Sequence, residues 1–228
     1  MKAHLTICPF LILVVTITGA LIGCGTEDAT TSENSHELTL PTGVIDDTFV
    51  VPSNFSTFTD DVGIFSISYP PDWEVDLSIL EELETVASEI VDSIRSGVSL
   101  DRVNFVFIAG VPYGLGYHPN INIAIEPRPP LVRTTKAIAA AEIIGIKAMT
   151  EDFNEVNRET VLIDGREAVI LEYEATIPEA GQAHNLVMFT LAGETVWAVT
   201  CTLLSDIADY NDYEEDFQAI VRSLKIHE

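Results

Sequence analysis

Cysteine, lysine and recognisable catalytic signatures are all scarce in this chain, and each shortage narrows what it can be. Of its three cysteines, Cys8 lies in the N-terminal apolar run and Cys24 directly follows that run, which leaves Cys201 alone in the remainder. If the folded part begins after Cys24, Cys201 has no cysteine partner within it. The folded part must then rest on its own hydrophobic core, which about 170 residues can supply as a single domain. Cys201 closes the strand-like run Thr195–Cys201 and reads as a small buried hydrophobe, not a nucleophile. Beyond Lys2 the only lysines are Lys136, Lys147 and Lys225, and 11 Lys and Arg stand against 36 Asp and Glu, a formal charge of −25. That balance excludes nucleic acid as a partner and is repelled by anionic headgroups. It suits either a solvated acidic surface adapted to salt or a surface that receives a cation. Gly-x-Ser-x-Gly and His-Glu-x-x-His are absent, and His36, His118, His184 and His227 are scattered. No catalytic residue, metal site or cofactor is therefore assigned from sequence. No period of 20–50 residues repeats, which excludes a solenoid.

What is present begins at the N-terminus. Lys2 and His4 precede an apolar run from Leu5 to Ile22 that ends in Leu21-Ile22-Gly23-Cys24, the three-part layout of an export signal. The last four residues resemble the lipobox of bacterial lipoproteins. That resemblance implies cleavage between Gly23 and Cys24, acylation of the Cys24 sulfur and membrane attachment through the lipid. An uncleaved transmembrane anchor is the alternative, since about 18 apolar residues is the lower limit for spanning a bilayer. Either reading places the domain outside the cytoplasm on a membrane. Gly25, standing where an Asp would retain a lipoprotein at the inner membrane, implies an outer-membrane destination in cells with two membranes. Removal of residues 1–23 takes away Lys2 and no acid, so the mature chain is one charge more negative. Residues 24–54 open with a polar, acidic stretch too poor in apolar area to offset its ordering entropy, and form a tether. Phe49-Val50-Val51 is expected to lie on the domain as an added edge.

The domain spans 55–228. Phe55–Thr59 and Gly63–Tyr69 read as strands, the second alternating Phe65, Ile67 and Tyr69 with serines. Pro70-Pro71 ends that strand, and Trp73 returns to the core, the more economical assignment for so large a side chain than partner anchor. Apolar residues from Leu80 to Ile94 at spacings of three and four predict an amphipathic helix, with Ser78 and Glu81 as a capping box and Gly97 as its stop. Val103–Val111 predicts a strand buried on both faces, and Asn120–Glu126 another. Thr134–Phe153 predicts a helix laid on the sheet through Ile138, Ala141, Gly145, Ala148 and Met149. Asp164-Gly165 between two strand-like runs is a two-residue hairpin turn. Asn185–Leu191 and Thr195–Leu203 form a second hairpin through Ala192-Gly193-Glu194. The final helix carries Asp212 and Glu215 as a capping pair, Glu214 and Asp216 at its positive end, and a stripe of Tyr213, Phe217, Ile220, Val221 and Leu224.

These elements sum to an α+β domain, an α/β/α sandwich with a mainly antiparallel sheet of six to seven strands flanked by helices. The ordered set Phe65-Ser66-Ile67-Ser68-Tyr69-Pro70-Pro71-Asp72-Trp73, Asn120-Ile121-Asn122-Ile123, Ile163-Asp164-Gly165-Arg166-Glu167-Ala168 and Phe217-Gln218-Ala219-Ile220-Val221-Arg222-Ser223-Leu224 resembles the PsbP-like superfamily. That superfamily joins PsbP of the oxygen-evolving complex, a Ran-binding nuclear import factor and many bacterial lipoproteins. The resemblance implies a binding or accessory module that is not an enzyme, and it names no ligand.

For a contact surface the sequence offers Tyr113, Tyr117 and His118, in a loop punctuated by Gly114 and Gly116; a plain strand connection is the alternative. The acids between Asp206 and Asp216 lack the glycine and alternating ligands of a calcium loop and are explained by helix capping. Three functions stay open. The first is a lipid-anchored module that binds or stabilises an envelope protein assembly. The second is an envelope hydrolase or transferase with a pocket near His118. The third is a carrier of a cation or small ligand.

Overall fold

The computed structural model describes residues 49–80, 103–113, 116–178 and 180–227. The expected signal segment and lipobox, the tether up to residue 48, and the helix expected beyond Leu80 lie outside the described residues. The strands are β1 (Ser56–Thr59), β2 (Phe65–Tyr69), β3 (Glu74–Val75), β4 (Asn104–Tyr113), β5 (Gly116–Pro127), β6 (Glu151–Ile163), β7 (Arg166–Ile177), β8 (Gly181–Ala192), β9 (Thr195–Leu204) and β10 (Lys225–Ile226). Helix α1 (Thr135–Met149) falls between β5 and β6, and α2 (Glu214–Arg222) between β9 and β10. A seven-stranded sheet runs β3-β4-β5-β9-β8-β7-β6, and a second sheet runs β1-β2-β10. Every pairing in both is antiparallel. The expected α+β sandwich is therefore present, with one refinement: Phe65–Tyr69 belongs to a small separate sheet that the tail of the chain completes.

Period-two alternation sends successive residues of each strand to opposite faces, and here both faces are covered. On one, Ile170, Met188, Val199 and Cys201 pack with the small sheet and with Phe217, Ile220 and Val221 of α2. On the other, Val169, Leu171, Val187, Phe189 and Ala198 pack beneath Ala139, Ile143 and Ile146 of α1. Trp73 is buried in the first core and meets Phe217 edge-on at 6.2 Å. Cys201 is fully buried there, and burial pushes its thiol well above the ordinary range. Native protein will therefore resist thiol alkylation and become labelled only in denaturant, a difference that mass spectrometry reads directly. Labelling of the native chain at the rate of a free thiol would contradict this packing.

Local chemistry sets the boundaries. Thr134 caps α1 by accepting from the Ala137 amide at 3.2 Å, and the Thr150 hydroxyl donates to the Ile146 carbonyl at 2.9 Å as the helix ends. The helix thus stops before Phe153, and Glu151–Phe153 opens β6 instead. Its buried side is Ile138, Ala139, Glu142, Ile143, Gly145 and Ile146, whereas Ala148 is exposed. The turn at Asp164 and Gly165 has φ of 50° and 76°, the left-handed pair that a tight hairpin demands. The second hairpin is tighter than expected, because Ala192 pairs with Thr195 and only Gly193-Glu194 turns.

Asp76 caps the 3-10 turn Leu77–Ile79, accepting from the Ser78 amide at 3.0 Å; the helix whose capping box Ser78 and Glu81 would form lies outside the described residues. At the last helix the cap differs from the sequence reading. Asp209, not Asp212, caps the 3-10 turn Tyr210–Asp212, and α2 then follows without a side-chain cap. Glu214, Glu215 and Asp216 do occupy its first turn, where the helix dipole favours them. At the other end Ser223 accepts from the Ser68 amide at 2.8 Å, fastening α2 to β2 before the chain enters β10. Phe49 makes no strand; its ring lies 5.4 Å from the Arg222 guanidinium.

Candidate functional site

The cavity with functional character opens where α2 leaves the outer strands uncovered. Arg222, in the last turn of α2, is ion-paired to Glu159 on the edge strand β6 and closes that end of the gap. Toward the other end of α2 the gap widens to a cavity of about 570 Å³, bounded by Glu172, Glu174, His184, Asp209, Tyr210 and Glu214 together with apolar Val156 and Leu203. Glu172 and Glu174 reach it because they share the parity of Ala168 and Ile170, which points them to the α2 side of β7. His184 reaches it because β8 pairs it directly with Glu174.

The ring of His184 organises the site. Its Nε2 lies 2.8 Å from a Glu172 carboxylate oxygen, and its Nδ1 lies 3.7 Å from Glu174. An ionised carboxylate only accepts, so the closer contact requires a hydrogen on Nε2. Tyr210 stacks flat on the same imidazole, with centroids 3.4 Å apart and planes 5° from parallel. Burial and the charges of Glu172 and Glu214 push the Tyr210 hydroxyl up, so it stays neutral. Asn154 donates to Glu174 at 3.3 Å, and Asp209 is occupied by the amide and side chain of Asn211. Four carboxylates thus face one cavity with a single imidazole among them. Among the described residues no Lys or Arg lines it.

Such a site can receive a positive charge, and it is poorly built for proton-transfer catalysis. Ser205 lines the cavity, but both nitrogens of His184 face acids, which leaves no lone pair directed at a hydroxyl. The carboxylates do not converge as metal ligands either: among the described residues no group of three or more His, Cys, Asp or Glu is placed to hold a metal ion.

Sequence reasoning put the contact surface elsewhere. His118 is not on a loop: β4 and β5 pair as far as Tyr113 with Gly116 and Pro112 with Tyr117, so His118 lies within β5 and is buried. Burial lowers its pKa to about 4 against the opposing pull of Asp206, leaving a neutral imidazole at pH 7. Tyr113 and Tyr117 flank the tip of that hairpin, and His118 does not line the acid-lined cavity. His184, which the sequence offered only as one of several scattered histidines, lines the cavity. The available signal was the pair Glu172 and Glu174 at inward parity in an otherwise apolar strand.

Comparison with solved structures gives a likeness of fold. This chain is similar to cyanobacterial PsbP (CyanoP) from Synechocystis sp. PCC 6803, at 13% identity and a TM-score of 0.49, over 82% of this chain and 99% of that one. It is also similar to a protein of unknown function from Pseudomonas aeruginosa, at 13% identity and a TM-score of 0.44, over 77% and 99% of the two chains. A structure from Bacteroides thetaiotaomicron matches at 12% identity and a TM-score of 0.40, over 77% of this chain and 49% of that one. No protein-family model and no curated protein matches the chain.

Proposed function

We propose that this protein is a lipid-anchored extracytoplasmic binding module whose PsbP-like domain holds a cationic group of an envelope protein in the acid-lined pocket. The observation that carries the reading is the set of four carboxylates, Glu172, Glu174, Asp209 and Glu214, around a cavity that no Lys or Arg lines among the described residues. Like charges crowded at a partly desolvated surface repel, and a guest ammonium or guanidinium relieves that repulsion while accepting their hydrogen bonds. The lipobox supports the anchoring: acyl chains on Cys24 hold the protein to a membrane that its own charge would repel. The tether through residue 54 gives the domain reach.

Cross-linking the native lipidated protein in its own membranes tests this reading. The expected result is capture of an envelope protein through a Lys- or Arg-rich surface, lost in the Cys24→Ala form and weakened by salt. Capture that is indifferent to both Cys24 and salt would remove the proposal. A carrier of a small organic cation is the second reading favoured by the same cavity, and it predicts thermal stabilisation by soluble amines or guanidines in the absence of any partner.

A further inference from the structure

The imidazole in the pocket has one nitrogen satisfied and the other opposed. The hydrogen on Nε2 of His184 is donated to Glu172 Oε1 at 2.8 Å. In the neutral ring Nδ1 then carries a lone pair, and that nitrogen lies 3.7 Å from Glu174 Oε1. Lone pair and carboxylate repel. Two events relieve them: a second proton on the ring, which turns Nδ1 into a donor, or a cation from outside set against Glu174. The other Glu174 oxygen, Oε2, already accepts from Asn154 at 3.3 Å.

The ring is held in this position. Tyr210 lies flat against it at 3.4 Å and is itself backed by Phe217 at 5.8 Å. β8 sets His184 directly between Glu174 of β7 and Leu203 of β9. The titratable groups that share the cavity with it are Glu172 and Glu174 from β7, Asp209 and Tyr210 from the chain after β9, and Glu214 from α2, while β6 and β9 present Val156 and Leu203. The arginines of the surrounding elements have acids of their own: Arg158 of β6 pairs with Glu155, Arg166 of β7 with Asp164, and Arg222 of α2 with Glu159.

We propose that His184 is a built-in competitor for the pocket: its second proton and a guest ammonium or guanidinium neutralise the same carboxylates, so that either one in place weakens the other. This rests on the reading of the pocket as a cation site. The sign follows from linkage. The guest-occupied form holds fewer protons, so affinity for the guest rises as pH rises through the titration of the ring and falls in acid. A cationic partner is thereby held in neutral medium and released in acid.

The test uses the full chain with methylguanidinium and n-butylammonium, whose charges stay constant over the interval of about pH 5 to 8 in which an imidazole ordinarily changes its own. Binding followed by NMR should be weaker by about fivefold or more near pH 5.5 than near pH 7.5. Saturating guest should lower the pH at which the His184 ring resonances shift, which is the reciprocal of the same coupling. His184→Gln keeps a donor toward Glu172 and cannot gain a charge; whatever its affinity, that affinity should vary less with pH than that of wild type. Equal affinity at both pH values, a ring titration unmoved by guest, or a pH dependence undiminished in His184→Gln would overturn the competition and leave the pocket a cation site. Failure of either cation to bind at either pH would remove the pocket reading and the competition with it.

Discussion

Phe217→Ala should destabilise the domain by about 3–5 kcal/mol, the range for removing a buried phenyl ring. Phe217 is fully buried and is the ring on which three others lean: Trp73 at 6.2 Å, Tyr210 at 5.8 Å and Tyr213 at 6.3 Å. Such tilted and edge-on pairs add to the area term. Truncation therefore opens a void between α2 and the large sheet and withdraws the support of Tyr210, the wall of the acid-lined pocket. Denaturant unfolding should show a lower midpoint at unchanged slope. Phe217→Leu, which refills most of the volume, should cost about 1.5 kcal/mol or less. A loss near 1 kcal/mol for the alanine form would mean that the site collapses freely and that α2 is not held by this ring.

Reversing charge in the pocket should have the largest effect on binding. The double substitution Glu172→Lys with Glu174→Lys should weaken capture of a cationic partner by about tenfold or more, because close charge pairs across an interface are worth about 1.5 kcal/mol and upward. Glu172→Gln with Glu174→Gln should give an intermediate loss and a shallower salt dependence. Binding by all three forms is measured at matched ionic strength, with melting curves to show that each is folded. Equal affinity in the wild-type, neutralised and reversed forms would sink the pocket as the docking site. Attention would then return to the hairpin tip at Tyr113 and Tyr117.

The parts of this architecture that sequence discloses are those written within a few residues. Asp164-Gly165 announces its hairpin because only residues tolerant of positive φ fit that turn. The stripe Phe217, Ile220, Val221 and Leu224 announces α2 because helical periodicity is local. The start of α2 misleads, because Asp209 and Asp212 are both plausible caps and the 3-10 turn between them decides which is used. The pocket is harder still. Glu172 and His184 are twelve positions apart, and Tyr210 comes from beyond a third strand, so their meeting depends on the β7–β8 register and on how the chain returns after β9.

The margins of the seven-stranded sheet bear on the proposed attachment to a bilayer. Anchored domains drift in two dimensions at high local density, where any long open strand invites its neighbour to zip alongside. One margin here is β3, only two residues long. The other, β6, is thirteen residues long but is interrupted by two register shifts, with Asp152 at a φ of 51° and Glu151, Glu155 and Glu159 along it. Irregular backbone denies a continuous ladder, and approaching copies meet acid against acid. Under the proposed anchoring, neighbouring copies could therefore be packed densely on a membrane without their sheets fusing.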